Sequence, residues 1–228
     1  MNWIVDYFTS SIGRKIIMSL SGLFLCLFLV IHLSGNLQLL LPDEGLAFNK
    51  YAYDMAHNPL IKVASIITML AIFLHALQGI LIYFKNRAAK GQKYAVKTKA
   101  NASFSSKNMT FLGTILLIFI VVHLGDFWYE MKFGSLPNDT RLEGISAPNL
   151  YVAVKAAFEQ SWLVLLYVLS MGALAYHLYH GFQSAFQSLG INHKKYTPFI
   201  KWVGIVVFAF LIPALFAYIP IHFFIQTL

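Results

Sequence analysis

Charged residues interrupt the chain at a few places only, and the stretches between them are long and continuously apolar. Uncharged runs extend over 27 residues between Lys15 and Asp43, 22 between Lys62 and Lys85, 18 between Lys107 and Asp126, 34 between Glu159 and Lys194, and 27 after Lys201. A helix of about 18 apolar residues or more can cross the hydrocarbon layer of a bilayer, so every run is long enough to span. Backbone groups in lipid must be paired inside the segment or in a closed barrel, and barrel strands alternate with a period of two that these runs lack. The pattern therefore predicts an all-α integral membrane bundle of five transmembrane helices, forming one domain over residues 1–228. The spans fall at about 16–41, 59–84, 108–129, 160–189 and 199–226. Residues 1–13 carry Trp3, Ile4, Tyr7 and Phe8 with few charges, which suits a short segment on the membrane surface. Residues 133–147 are turn-rich, and 149–158 read as a short surface helix. The fourth run exceeds the layer thickness and is expected to tilt or project before Pro198, and Pro213 and Pro220 should bend the fifth.

Composition agrees with that reading. Apolar residues make up 58% of the chain and charged ones 11%, against roughly 25% charge in a soluble domain. This excludes disorder and argues against an ordinary soluble fold. Cys26 is the single cysteine, so neither a disulfide nor a Cys-x-x-Cys pair can form within the chain. The first apolar run is much longer than the core of a cleavable signal, and the N-terminus is expected to be retained.

The basic residues are unevenly placed. Arg14 and Lys15 precede the first span, seven Lys and Arg lie from Lys85 to Lys107, and Lys194, Lys195 and Lys201 precede the fifth. These segments share one side and hold 12 basic residues with Asp6 alone of the acids, whereas the opposite side holds five basic residues and eight acids. The positive-inside rule puts the N-terminus in the cytoplasm and the C-terminus outside, in a multi-pass protein of the cell inner (cytoplasmic) membrane. A pI near 9.5 would ordinarily flag nucleic acid, but the basic stretch is accounted for as topogenic charge and no nucleic acid is expected. The same stretch could also serve as a docking surface for a cytoplasmic partner.

Histidines stand within four of the apolar spans: His32, His75, His123 and His177, with His180 one turn beyond the last. An ionisable side chain in a spanning helix is costly, and four on consecutive helices point to function. Counting 1.5 Å per residue, His32 and His123 lie about 25 Å from the cytoplasmic helix ends, whereas His75 lies about 15 Å from its own and His177 also belongs nearer the cytoplasm. Depth alone does not separate His177 from His180. Local context does: Ala71, His75 and Gly79 repeat as Ala173, His177 and Gly181, and small residues one turn either side of an imidazole leave a flat slot. Phe28 and Phe119 stand four residues before His32 and His123 as aromatic walls. A haem fits such a pattern, because iron takes two axial imidazoles from two helices while the macrocycle needs small and apolar neighbours. Two pairs imply two haems. Zinc is disfavoured, since apart from the interfacial Asp126 no carboxylate or thiolate lies within a turn on the same face. Without a Cys-x-x-Cys-His motif the haems would be of the non-covalent b type, and doubly ligated iron suits electron transfer.

With these residues in place the chain resembles the single-chain, five-helix, di-haem cytochrome b subunit of succinate dehydrogenase or fumarate reductase. The likeness runs from Gly13-Arg14-Lys15 and Ser21-Gly22-Leu23 through His32-Leu33, Asn36-Leu37 and Tyr176-His177 to Gly181. It implies a membrane anchor for a flavoprotein subunit and an iron–sulfur subunit on the cytoplasmic face, passing electrons to or from membrane quinone, with menaquinone favoured. Dicarboxylate chemistry would belong to the partner. It further implies His75 and His177 as iron ligands of the cytoplasmic-side haem and His32 and His123 of the outer one, with His180 a neighbour. Arg14, Lys15, Lys85 and Arg87 would be placed to neutralise propionates. Family members of this type can carry a quinone-site acid after the first span, and Asp54 has the matching spacing; Gln38, His57, Asp126 and Glu130 are weaker candidates. Some relatives place a glutamate two residues before the fourth-span ligand for proton transfer, but this chain has Ala175 there. Two other readings compete: a proton channel or transporter in which the histidines form a relay, and a haem-free structural anchor. The scattered Ser19, Ser21, Thr68, Gln78 and Ser170 make no obvious polar path for the first, and retention of all four histidines argues against the second.

Overall fold

The computed structural model describes residues 2–89, 104–142 and 144–228. Lys90, Lys93, Lys97 and Lys99 of the basic stretch lie outside them, as does the side chain of Lys107. The described chain is helical, with five helices long and apolar enough to cross a membrane: Ser11–Leu40, Pro59–Lys85, Asn108–Phe133, Ser161–Ser188 and Thr197–Ile225.

A short helix α1 (Trp3–Thr9) leads into α2 (Ser11–Asn36), which begins earlier than the charge pattern indicates. Ser10 explains the start: its hydroxyl accepts from the Gly13 amide at 3.0 Å, capping a terminus that otherwise leaves its N–H groups unpaired. A 3-10 turn, Leu37–Leu40, ends the span. Then come α3 (Leu46–His57), α4 (Pro59–Ala89) and α5 (Phe104–His123). The third span does not stop near residue 129. It continues through a π-helical segment, Leu124–Tyr129, and α6 (Glu130–Phe133). Helix α7 (Leu150–Phe158) is the expected short surface helix, capped by the Asn149 side chain. Helix α8 (Ser161–Ser188) forms the fourth span. The fifth is α9 (Thr197–Val203), a π-helical stretch Gly204–Leu211, and α10 (Ile212–Ile225). The π-winding ends at Leu211, two residues before Pro213, which lacks an N–H and crowds the turn before it, so widened backbone there accommodates the ring without breaking the span.

The fourth span is central: 39% of its most apolar stretch is buried, against 6% for the second and third. Helix α8 packs on α2, α5 and the fifth span, and α4 packs mainly on α2. Leu163, Val164, Tyr167, Leu178 and Phe182 are its buried anchors. By contrast, Leu60, Ile66, Phe73 and Phe84 of α4 are largely exposed, a face of the kind that lipid covers.

The two ends of the bundle differ. At the basic end Lys85 donates to the Ser11 hydroxyl at 3.3 Å, and Arg14 Nε to the Thr9 carbonyl at 3.0 Å, tying α1, α2 and α4 together. At the loop end a polar knot joins segments about a hundred residues apart. Asn49 of α3, 1% exposed, donates to Asp139 and to Asn149 at 2.8 Å each and accepts from the Tyr151 amide at 3.0 Å. Arg141 grips Asp139 at 2.8 and 2.7 Å and reaches the carbonyls of Asp43 and Glu44. The Arg141 guanidinium, with help from Asn49, holds the Asp139 carboxyl well below the usual carboxylate range even though burial pushes it the other way.

Candidate functional site

Two pairs of imidazoles meet inside the bundle. Toward the basic end, the rings of His75 on α4 and His177 on α8 have centres 6.1 Å apart and planes inclined at 67°. Toward the loop end, His32 on α2 and His123 at the end of α5 have centres 5.7 Å apart and planes at 89°. Among the described residues neither α4 and α8 nor α2 and α5 are extensively packed backbone to backbone. The side chains reach across instead.

At the basic-end level, Ser21 lies 3.1 Å from His75 Nδ1. The same hydroxyl can donate to the Ile17 carbonyl at 2.8 Å, which leaves its oxygen free to accept from the ring. In that arrangement His75 carries its proton on Nδ1, and Nε2 has the lone pair that a metal needs. Gly22 gives the ring its room: a Cβ there would stand 3.2 Å from His75 Cε1. The two glycines of the repeated small-residue pattern, Gly79 and Gly181, face only the methyl ends of Met18 and Met109, 3.7 and 3.9 Å from where a Cβ would be. His177 Nδ1 and Gln78 Oε1 are buried and have no hydrogen-bond partner among the described residues. Gln78 is one turn from His75, so both orphaned atoms belong near this level. Such groups are rarely left unpaired, at roughly 1–3 kcal/mol each.

The loop-end level is walled by aromatics. Phe28 stacks on His32 at 5.1 Å and Phe119 on His123 at 5.5 Å, as their spacing predicts. Phe216 of the fifth span adds a third wall, 5.8 Å from His32. The Tyr167 hydroxyl lies 3.3 Å from His123 Nδ1 and donates to Asp126 at 3.5 Å.

Paired imidazoles at these separations can bracket an iron. Metal–nitrogen bonds of roughly 2 Å on each side, plus the half-width of each ring, put ring centres about 6 Å apart. An imidazole could turn about its bond to a metal, so the angle between the ring planes does not bear on the fit. No three His, Cys, Asp or Glu side chains converge as a metal site among the described residues, so two imidazoles are what the protein offers at each level. That donor set and the room Gly22 leaves beside His75 fit a haem held by two histidines.

The other sequence candidates lie elsewhere. Asp54 sits on α3 at the loop end, about half exposed, in a 2.8 Å ion pair with Lys50. His57 stacks on Tyr53 and bonds to its carbonyl. Gln38 falls in the turn after α2, and Glu130 opens α6. His180 bonds to Ser184 at 3.1 Å, on its own helix, and is not the ring that faces His75. Lys15 borders a groove with Ile12, Gln187 and Ser188, and Arg87 donates to the Tyr83 hydroxyl. Residues without an assigned role in the sequence reading, Gly22, Tyr167 and Phe216, shape the two levels. No family model, no curated protein and no solved structure matches the chain.

Proposed function

We propose that the chain is the membrane-anchor cytochrome b subunit of a succinate:quinone oxidoreductase of the succinate dehydrogenase or fumarate reductase type. His75 and His177 hold one b haem and His32 and His123 the other. Bound there, the haems supply one-electron carriers at two depths of the bilayer. The protein's part is to fix the imidazoles, present Nε2 of His75 and His123 unprotonated, and exclude water with Phe28, Phe119 and Phe216.

The observation that carries this reading is the meeting of four imidazoles from four helices as two pairs, 5.7 and 6.1 Å between ring centres. The basic end is cytoplasmic by its charge and receives the iron–sulfur and flavoprotein subunits, where the dicarboxylate reaction takes place. Membrane quinone, with menaquinone favoured, exchanges electrons near the loop end. Asp54, exposed on that end, is the acid that delivers or takes up protons. A histidine proton relay is less well supported, because the hydroxyls of Ser19, Ser21, Thr68 and Ser170 donate to carbonyls of their own helices four residues back. They form no chain between levels.

The test is a potentiometric titration of the dithionite-reduced minus oxidised spectrum of the membrane complex. Two resolved low-spin b-type transitions are expected, and a protein that binds no haem would remove the proposal.

A further inference from the structure

From the contacts of Tyr167 we infer that Tyr167 and Asp126 form a positioning relay that tunes the loop-end haem through His123, lowering its reduction potential. This rests on the di-haem reading above and adds a role for two residues which that reading does not use.

Tyr167 is 6% exposed, and its ring is held edge-on by Phe119 at 4.9 Å and Phe158 at 5.1 Å, so the hydroxyl has a fixed direction. That hydroxyl touches His123 Nδ1 on one side and Asp126 on the other. A phenol has one proton. It donates to the Asp126 carboxylate, which leaves the phenol oxygen free to accept from an Nδ1–H of His123. The relay therefore runs from carboxylate to phenol to imidazole, and it leaves Nε2 of His123 as the bare nitrogen. Asp126 is carried by the π-helical segment Leu124–Tyr129, which begins at the residue after His123; such widened turns occur often at functional sites.

A ligand imidazole whose second N–H is drawn toward a negative acceptor becomes a stronger donor to its metal. Stronger donation favours the ferric over the ferrous state, which moves the potential down. The basic-end pair has no such arm on His75. Its partners are the Ser21 hydroxyl and the Met18 backbone, both neutral. The two levels thus differ in the charge behind a ligand, although their imidazole pairs are alike.

The experiment is a redox titration of the full complex carrying Tyr167→Phe or Asp126→Asn, with haem content measured on the same samples. Tyr167→Phe keeps the ring and removes the relay. It should raise the midpoint of one haem by about 59 mV, a tenfold change in the one-electron equilibrium, and leave the other in place. Asp126→Asn should move the same haem in the same direction, and the double variant should move it no further than Tyr167→Phe alone. Should Tyr167→Phe fail to assemble, Asp126→Asn decides. Two haems titrating at wild-type potentials in the variants would overturn the relay while leaving the di-haem reading intact. A wild-type protein without haem would overturn that reading and the relay with it.

Discussion

Gly22 is the position where one added carbon tests the basic-end site most sharply. An alanine Cβ there would lie 3.2 Å from His75 Cε1 and 3.7 Å from Nδ1. The first distance is a few tenths of an ångström inside ordinary contact, and the ring cannot retreat freely because Ser21 holds its Nδ1. Overpacking on this scale costs about 1 kcal/mol, a roughly fivefold loss in occupancy of the correct ring position. Valine adds two methyl groups about 1.5 Å beyond that Cβ. The cost then rises to about 3 kcal/mol, roughly two orders of magnitude in affinity for a ligand that needs His75. The assay is haem per polypeptide by extraction, alongside the redox titration. Gly22→Ala should retain two haems with the basic-end one more easily lost, and Gly22→Val should retain only the haem of His32 and His123. Two haems with unchanged potentials in Gly22→Val would refute the argument that this glycine makes room for a ligand ring.

Further outcomes follow from the loop end. Asn49→Ala removes two donated hydrogen bonds, one to a carboxylate, and strands the Tyr151 amide, a loss of about 3 kcal/mol. Exchange of the Tyr151 amide should accelerate, and unchanged protection would contradict the role given to the knot. Asp139 titrates lower folded than unfolded, so its contribution is complete above the ordinary value of about 3.9 and is lost as the pH falls through the lower folded value. Protection of the same amide, corrected for intrinsic exchange, should be flat from pH 7 to about 4 and fall only in stronger acid. A decline already at pH 5 would place the stabilising carboxylate elsewhere. Asp54→Asn breaks an exposed ion pair worth at most about 0.5 kcal/mol. Haem content should hold while quinone turnover slows, and full turnover would remove Asp54 from the proton route.

The five spans were legible because uncharged runs such as 202–228 are set by the bilayer, and no local contact is needed to recognise them. The levels at which the histidine rings meet were legible from depth counting, whereas the Ala173 and Gly181 context favours His177 over His180 as a ligand, a choice that belongs to the proposal. What sequence could not supply was lateral contact. Tyr167 is 44 residues from His123 and Asn49 is 90 from Asp139, and nothing in either stretch marks the partner. The extension of the third span past residue 129 was hidden by Asp126 and Glu130, which read as the membrane edge. The early start of α2 was hidden by Arg14 and Lys15 for the same reason, although the Ser10 cap places the helix start ahead of them. Pro213 was expected to bend the fifth span; the π-winding before it is a backbone response that hydropathy does not encode.

The most direct test of the central claim is haem stoichiometry in single and double histidine variants of the full chain. Each of His32→Ala, His75→Ala, His123→Ala and His177→Ala should keep one haem. His32→Ala with His123→Ala should still keep one, as should His75→Ala with His177→Ala, because each double variant empties a single level. His32→Ala with His75→Ala should keep none. Retention of haem in that last variant, or loss of both haems in either within-pair variant, would contradict the pairing.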